Sequence, residues 1–285
     1  MTPFELTEPK SLREAIELLD PDDTAVRPMS GGTALMLMMK AGVLRPRRLV
    51  NLKKIGLAEI GKGPAGELRI GAMARLSDIE RSPIVRKDCP VIARTLLTLS
   101  NVRVRNVATL GGHLAHADPH MDLPPVLSAL GARATIAGPA GERTIPVEEI
   151  SSGYLATTLR LNELITAIEV PPLGGRRAAY MKCTTRSADD WPALGVAVVL
   201  DFQKDVLQTA SLVISAATDK PTRLRSAEKL LRGKTLDESS LKQAGEAAAA
   251  EVQMESDMHG SAAYKKQLLR VYLGRAIHEA SSGRH

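Results

Sequence analysis

The chain has 285 residues, more than one hydrophobic core usually organises, so we expect about two domains. Hydrophobic residues make up 44% and charged residues 25%, which excludes a disordered or collagen-like chain. Aromatic residues make up only 2%, so the core must be aliphatic, and a surface that stacks the bases of single-stranded nucleic acid is not expected. The formal net charge of +6 comes from basic residues spread along the chain, and we predict no nucleic-acid partner.

The two cysteines, Cys89 and Cys183, are too few for an iron–sulfur cluster held by four thiolates of this chain. Their spacing matches no metal motif, so we interpret them as isolated buried thiols. Residues 1–6 lack the basic and apolar regions of a secretory signal, and no stretch approaches the roughly 18 apolar residues of a membrane span. We therefore expect a soluble cytoplasmic protein.

Short helices and strands alternate in the first half of the chain. Ser11 and Glu14 match a capping box and predict a helix that ends before Asp20. Ser77 and Glu80 match a second box and predict another helix start. The other predicted elements are strands over 25–28, 49–52, 67–72, 132–137 and 163–170, and helices over 35–40, 90–99 and 123–130, the last capped by Asp122.

The strongest linker signal is the sequence Pro-Pro-Leu-Gly-Gly at 171–175, where we place a domain boundary. Beyond it the order of elements changes, because strands come before helices. The predicted strands cover 179–184, 194–202 and 208–216, and the predicted helices cover 226–232, 239–252 and 262–280. Strands grouped before helices indicate an α+β domain rather than a parallel βαβ array.

Two Gly-Gly segments, at 30–34 and 109–113, each follow a strand-like run. Glycine permits positive φ and lets a ligand approach the backbone, and the N–H groups of such turns suit a phosphate. Thr33 and Thr109 add a hydroxyl to each segment. Neither segment matches GxGxxG or GxxxxGK[ST], so a Rossmann site and a P-loop are not supported. Either segment alone would be an ordinary turn, whereas both together indicate a two-sided clamp for a pyrophosphate.

Three stretches resemble a known family: Pro-Met-Ser-Gly-Gly-Thr at 28–33, Arg-Asn-Val-Ala-Thr-Leu-Gly-Gly at 105–112 and Ala-Asp-Pro-His-Met-Asp-Leu-Pro at 117–124. They are similar to the FAD-binding medium subunit of molybdenum hydroxylases, a family that includes aerobic carbon monoxide dehydrogenase and the flavin portion of xanthine dehydrogenase. The resemblance covers essentially the whole chain. It implies an α+β fold with two domains: a vanillyl-alcohol-oxidase (PCMH)-type FAD-binding domain over 1–173, with subdomains of about 1–55 and 56–173, and a CO dehydrogenase flavoprotein C-terminal domain over 176–285.

The resemblance also implies which residues contact FAD. The pyrophosphate contacts fall on Ser30, Gly31, Gly32, Thr33 and Ala34, and on Thr109, Gly111, Gly112 and His113. An acidic contact falls on Asp122, an apolar contact on Leu164 and a basic contact near the flavin on Lys182. Without the resemblance, Asp122 would be a helix N-cap, Leu164 a core residue and Lys182 an exposed lysine.

The sequence departs from the family at several of these positions. Ala34 stands where the family often has Asp or Ser, and His113 stands where it has a small polar residue. Residues 187–192 stand where the family commonly has a Gly-Asp-aromatic segment. They contain the only tryptophan, Trp191, which would either stack near the flavin or anchor the two domains together. His113, His116 and His120, with Asp118 and Asp122, look like metal ligands, but the Gly-Gly turn and a proline predict a loop, so we expect no metal.

The resemblance implies an oxidoreductase component rather than a complete enzyme. An FAD-binding electron-transfer subunit would take electrons from a 2Fe-2S small subunit, beside a molybdopterin large subunit, and pass them to NAD, a quinone or another acceptor. The working unit would be a heterotrimer, and no catalytic residue of this chain is assigned. Two alternatives remain open: a free-standing flavin oxidase or reductase with its own substrate pocket, and a basic scaffold protein without flavin.

Overall fold

Three sheets organise the part of the chain that the computed structural model describes, residues 2–282. The first is parallel throughout, with strand order β1-β3-β2. Its elements are β1 (Glu5–Thr7), α1 (Leu12–Glu17), β2 (Val26–Met29), α2 (Thr33–Lys40), β3 (Arg48–Asn51) and a 3-10 helix at Leu52–Lys54. The Ser11 side chain accepts the N–H of Glu14, so the predicted N-cap is confirmed, but the Glu14 carboxylate accepts the N–H of Lys10 rather than that of Ser11, so the capping box is incomplete. Ala15 of α1 packs on Val26 and Val50 and forms a small separate core.

The second sheet is antiparallel, with strand order β4-β5-β10-β6-β7. Its strands are β4 (Ile60–Lys62), β5 (Leu68–Gly71), β6 (Arg133–Gly138), β7 (Gly141–Pro146) and, after a small hairpin of β8 (Ser151–Gly153) and β9 (Ala156–Thr157), β10 (Leu164–Val170). The helices are α3 (Leu76–Arg81), α4 (Pro83–Asp88), α5 (Pro90–Leu97), α6 (Val102–Arg105), α7 (Leu110–His116) and α8 (Leu123–Leu130), with a 3-10 helix at Val147–Glu149. All six helices lie between β5 and β6 in the chain.

The third sheet is antiparallel, with strand order β11-β12-β13-β14, and three helices follow it. The elements are β11 (Arg177–Cys183), β12 (Leu194–Gln203), β13 (Val206–Ser215), β14 (Thr222–Arg223), α9 (Arg225–Leu231), α10 (Glu238–Glu251) and α11 (Ala262–Ser281). Strands before helices confirm the predicted α+β character of this part. The ends of the predicted domains, residue 1 and residues 283–285, lie outside the described residues.

The third sheet is buried on both faces, which fixes the two halves of the molecule against each other. Ala197 and Val199 of β12 belong to the same core as α8, whereas Val196 and Val198 pack with the helices α9–α11. Successive residues of a strand point to opposite faces, so a continuous apolar run fits a strand covered on both sides. Helix α8 is apolar almost all round because it contacts this sheet as well as α5.

Two local predictions are wrong. Helix α3 begins at Leu76 with Arg75 at the N-cap, so Ser77 lies buried inside the first turn and caps nothing. Residues 110–116 form α7 rather than a loop, because Thr109 caps the helix with its side chain despite the two glycines. Within residues 2–282, no helix is long and apolar enough to cross a membrane.

Candidate cofactor site

The first glycine segment, residues 30–34, connects β2 to α2 and is half-buried. Gly32 precedes the helix with a φ of +71°, a left-handed conformation that favours glycine. Within residues 2–282, no acceptor is found for the amide N–H groups of positions 31–35. Because these N–H groups gather at the positive end of α2, this segment can bind an anion such as a phosphate.

The two glycine segments are in direct contact. The hydroxyl of Thr109 donates to Ser30 Oγ at 3.0 Å. A Cβ on Gly31 would overlap the carbonyl oxygen of Val107, and a Cβ on Gly112 would overlap Ser30 Oγ. The absence of side chains at both glycines therefore lets the segments approach each other. We call residues 30–34 and 109–113 together the glycine clamp.

The second segment differs from the first in how it uses its backbone. Gly111 and Gly112 lie in the first turn of α7, and neither has a positive φ. The N–H of Gly111 donates to the Ala72 carbonyl at 2.8 Å, and the N–H of Gly112 donates to Thr109 Oγ1 at 3.2 Å. The predicted anion nest is therefore wrong for this segment. Only the side chains of this segment are therefore left to contact a ligand.

His113 is the side chain of α7 best suited to a ligand. Its ring is buried, and burial lowers its pKa to about 4, so the imidazole is neutral at pH 7. Its Nε2 atom is buried without a hydrogen-bond partner among the described residues. A buried nitrogen left unpaired is costly, so its presence next to Gly112 points to a missing partner.

Asp122 and Lys182 form a buried ion pair between the start of α8 and β11 of the third sheet. Lys182 Nζ lies 3.0 Å from Asp122 Oδ2, and it also donates to the carbonyls of Thr98 and Asp190. The Tyr180 hydroxyl donates to Asp122 Oδ1 at 2.6 Å. Burial raises the pKa of Asp122, and Lys182 and Tyr180 oppose that rise. All three donor positions of the ammonium are used.

The structure corrects the two interpretations of this pair that do not involve a cofactor, a helix N-cap for Asp122 and an exposed lysine for Lys182. Asp122 stands at the N-cap of α8, but its side chain makes no capping hydrogen bond, because it faces Lys182 instead. Lys182 is not an exposed lysine, since its side chain is only 7% exposed. Tyr180 was missed by sequence reasoning, although residues two apart on a strand share a face, so its position relative to Lys182 was a usable signal.

Leu164 begins β10 and lies apart from the ion pair. Its side chain is buried in the small core of the first sheet, beside Val50 and Leu52. The same strand reaches the glycine clamp through the backbone, because Ala72 N–H donates to the Thr166 carbonyl and the Ala72 carbonyl accepts from α7. Leu164 thus lies where the core of the first sheet meets the strand whose backbone supports α7.

Trp191 is 48% exposed and stacks on His120, with ring centroids 5.3 Å apart and an interplanar angle of 16°. Since His120 lies in the loop after α7 and Trp191 between β11 and β12, the tryptophan bridges the two halves of the chain. Within residues 2–282, no group of three or more His, Cys, Asp or Glu side chains converges as metal ligands would.

In this α+β chain, the segment that carries the helix amides contacts a second glycine segment, an arrangement that can bind the phosphate groups of a nucleotide. Residues 2–173 match the family described as the FAD binding domain in molybdopterin dehydrogenase. Residues 178–280 match the CO dehydrogenase flavoprotein C-terminal domain.

Whole-chain comparisons agree. The chain is 30% identical over 278 residues to the glyceraldehyde dehydrogenase medium chain of Sulfolobus acidocaldarius, covering 98% of each. It is 31% identical over 280 residues to the carbon monoxide dehydrogenase medium chain of Afipia carboxidovorans, covering 98% of this chain and 97% of that one. A chain of carbon monoxide dehydrogenase from Hydrogenophaga pseudoflava superposes with a TM-score of 0.94 at 31% identity, with 99% of both chains covered.

The chain belongs to the FAD-binding medium subunits of the molybdenum hydroxylases. It is an oxidoreductase component, and its cofactor is FAD. The predicted two-domain fold is confirmed. The residues present fit this cofactor. Among residues 2–282, the amides of 31–35 have no acceptor and the buried Nε2 of His113 has no hydrogen-bond partner, so both are available to a ligand.

Proposed function

We propose that this chain is the electron-transfer subunit of a molybdenum hydroxylase complex. It would receive electrons from a 2Fe-2S small subunit, beside a molybdopterin large subunit, and deliver them to an external acceptor such as NAD or a quinone. When bound, FAD would supply the redox chemistry that links these partners. The observation that carries the proposal is the glycine clamp, in which Ser30, beside the amides of the first segment, contacts Thr109 of the second.

We propose separate roles for the two sides of the site. The N–H groups of the first segment would bind the pyrophosphate, and the neutral ring of His113 would donate to it from the other side. The proposed cofactor-binding residues are Ser30, Gly31, Gly32, Thr33, Ala34, Thr109, Gly111, Gly112, His113, Asp122, Leu164 and Lys182. Gly111 would act only by allowing close packing, because its N–H is already paired with Ala72. Lys182 would act through its charge, because its three donors are already paired within the protein.

We also propose the domain boundaries 1–173 and 176–285, with a division of the first domain near residue 55. The lack of regular structure between β10 and β11 supports the first boundary. The separate core of the first sheet supports the second. A cytoplasmic location is supported by two cysteines that are both free thiols.

Purification from the natural host tests the partners without knowledge of the substrate. The chain would carry an affinity tag, and the purified complex would be analysed for FAD, iron and molybdenum. We expect all three, with two further chains in equal amounts. Recovery of an FAD-loaded chain without iron or molybdenum would contradict the proposal.

The same complex separates this role from a free-standing flavin oxidase. Glyceraldehyde and carbon monoxide, which appear in the names of two relatives, are the first substrates to try under anaerobic conditions. With a competent substrate, the flavin absorbance should bleach in the complex and stay unchanged in this chain alone. Bleaching in the isolated chain would favour the free-standing oxidase.

A further inference from the structure

A second cluster of polar side chains lies outside the proposed cofactor contacts and joins the two halves of the chain. Its centre is His120, in the loop between α7 and α8. His120 Nδ1 lies 3.0 Å from Asp118 Oδ1, and His120 Nε2 lies 3.2 Å from Asp257 Oδ2, in the loop before α11. An ionised carboxylate only accepts hydrogen bonds, so a ring held by two of them must donate from both nitrogens. The geometry is that of a protonated imidazole.

The charges around His120 balance only when the ring is protonated. Lys265 is fully buried, and its Nζ lies 2.7 Å from Asp257 Oδ2 and donates to the Ala216 carbonyl. Two carboxylates and two cations then leave no net charge. Burial alone would lower the pKa of His120, but the bonds to Asp118 and Asp257 outweigh it and raise the pKa.

Two other histidines face the cluster. His116 Nε2 lies 3.9 Å from Asp118 Oδ2, and burial lowers the pKa of His116, so it adds no charge at pH 7. The His259 ring lies 5.3 Å from the His120 ring at an angle of 52°, on the exposed loop before α11. A test must therefore distinguish the effect of His120 from the effects of these two rings.

The segment that carries Trp191 is held at two adjacent points. The Trp191 ring stacks on His120, and the carbonyl of the preceding residue, Asp190, accepts from Lys182 Nζ at 3.2 Å. Lys182 in turn is paired with Asp122. Because Trp191 is half exposed, little else covers its ring, and the stack supplies its main aromatic contact.

We propose that His120 is a positioning residue, a cationic ring that holds the Trp191 segment beside the Asp122–Lys182 pair and releases it on losing its proton. A folded-state pKa above the unfolded value means that the contact stabilises at low pH and is lost as pH rises through the folded pKa. The placement of the segment beside the cofactor rests on the proposed function. The contact itself does not.

Tryptophan fluorescence reads this contact directly, because Trp191 is the only tryptophan. A protonated imidazole quenches indole emission more strongly than a neutral one. The emission of the full chain should therefore rise with pH, with a midpoint above 6.5. His120→Gln should abolish the titration and increase quenching by acrylamide at pH 6. Asp257→Asn should lower the midpoint, since it removes one charge partner of His120.

His259→Gln is the matched control. The His259 ring lies 5.3 Å from the His120 ring, the same distance as the Trp191 ring, but it takes no part in the His120–Trp191 stack. It should leave the midpoint in place. A titration that survives in His120→Gln, or one that disappears in His259→Gln, would overturn the proposal. FAD content measured in the same samples separates the two claims, because a wild-type chain that titrates as expected but holds no FAD contradicts only the proposed function.

Discussion

The two glycine segments of the clamp have similar sequences but different backbone conformations. In the first, Gly32 is left-handed and the following amides are free, so the backbone faces the ligand. In the second, both glycines are helical and their amides donate to groups within the protein, so only the buried side chains of Thr109 and His113 remain for a ligand. A Gly-Gly pair thus marks a close approach in both cases, but only one of the two supplies a nest for an anion.

The comparison predicts that glycines within one segment differ in what they tolerate. Gly31→Val should have the largest effect, because its side chain would overlap backbone atoms of residues 107–108, which cannot move aside as a side chain can. We expect a loss of about 3 kcal/mol in the free energy of unfolding and of nearly all bound FAD. Urea denaturation and flavin absorbance measure both.

Gly61→Val is the control for this substitution. Gly61 lies in β4, has open space around its Cβ position and is not left-handed. Unfolding free energy and FAD content should stay near wild type. A Gly31→Val chain that is as stable and as yellow as this control would mean that the two segments are not packed together.

His113 distinguishes the second segment through pH. Its folded pKa of about 4 lies below the unfolded value of 6.5, so the unfolded chain binds the proton more tightly and stability falls as pH drops through this interval. At pH 5 the loss amounts to about 2 kcal/mol relative to pH 8. His113→Gln should lack this component in urea denaturation at the two pH values.

His278→Gln provides the comparison, because His278 is exposed on α11. It should keep the full acid sensitivity of the wild type. Identical pH dependence in His113→Gln and in the wild type would show that the ring near the clamp is not buried and neutral.

Gly32→Ala should have the smallest effect of the three. Its Cβ would find ordinary contacts, 3.5 Å from Met29 and 3.6 Å from Met36, so the cost is the left-handed backbone alone. We expect a loss of about 1 kcal/mol in unfolding free energy, and less for Gly32→Asn, since asparagine tolerates this conformation better. Equal losses for alanine and asparagine would contradict this explanation.

Local signals in the sequence predicted the elements whose causes are local. The N-cap at Ser11 is correct because the N–H that it accepts is three residues away, and α8 and α10 follow from their apolar patterns. The box at Ser77 fails because an N-cap is defined by the backbone conformation of Arg75, not by the residue pattern. Helix α7 was missed because two glycines lower helix propensity, whereas the cap and the packing on β5 override it.

The site depends on contacts between distant residues, which the sequence does not display. The family resemblance supplied candidate residues, but it could not show that Ser30 touches Thr109 or that Asp122 pairs with Lys182, 60 residues away. It also could not show that Trp191 stacks on His120. The Asp122–Lys182 and His120–Trp191 contacts arise only when the third sheet packs on α8 and brings separate segments together.

The most direct test of the clamp is the FAD affinity of Gly112→Ala, with and without Ser30→Ala. The added methyl group would overlap Ser30 Oγ, whereas Thr109 Oγ1, at 3.1 Å, needs to shift only slightly and the Ser30 Cβ, at 3.7 Å, can stay. If the two segments act as one clamp, Gly112→Ala loses FAD, and the double variant binds it as well as Ser30→Ala alone. Wild-type affinity in Gly112→Ala, or no recovery in the double variant, would contradict the account.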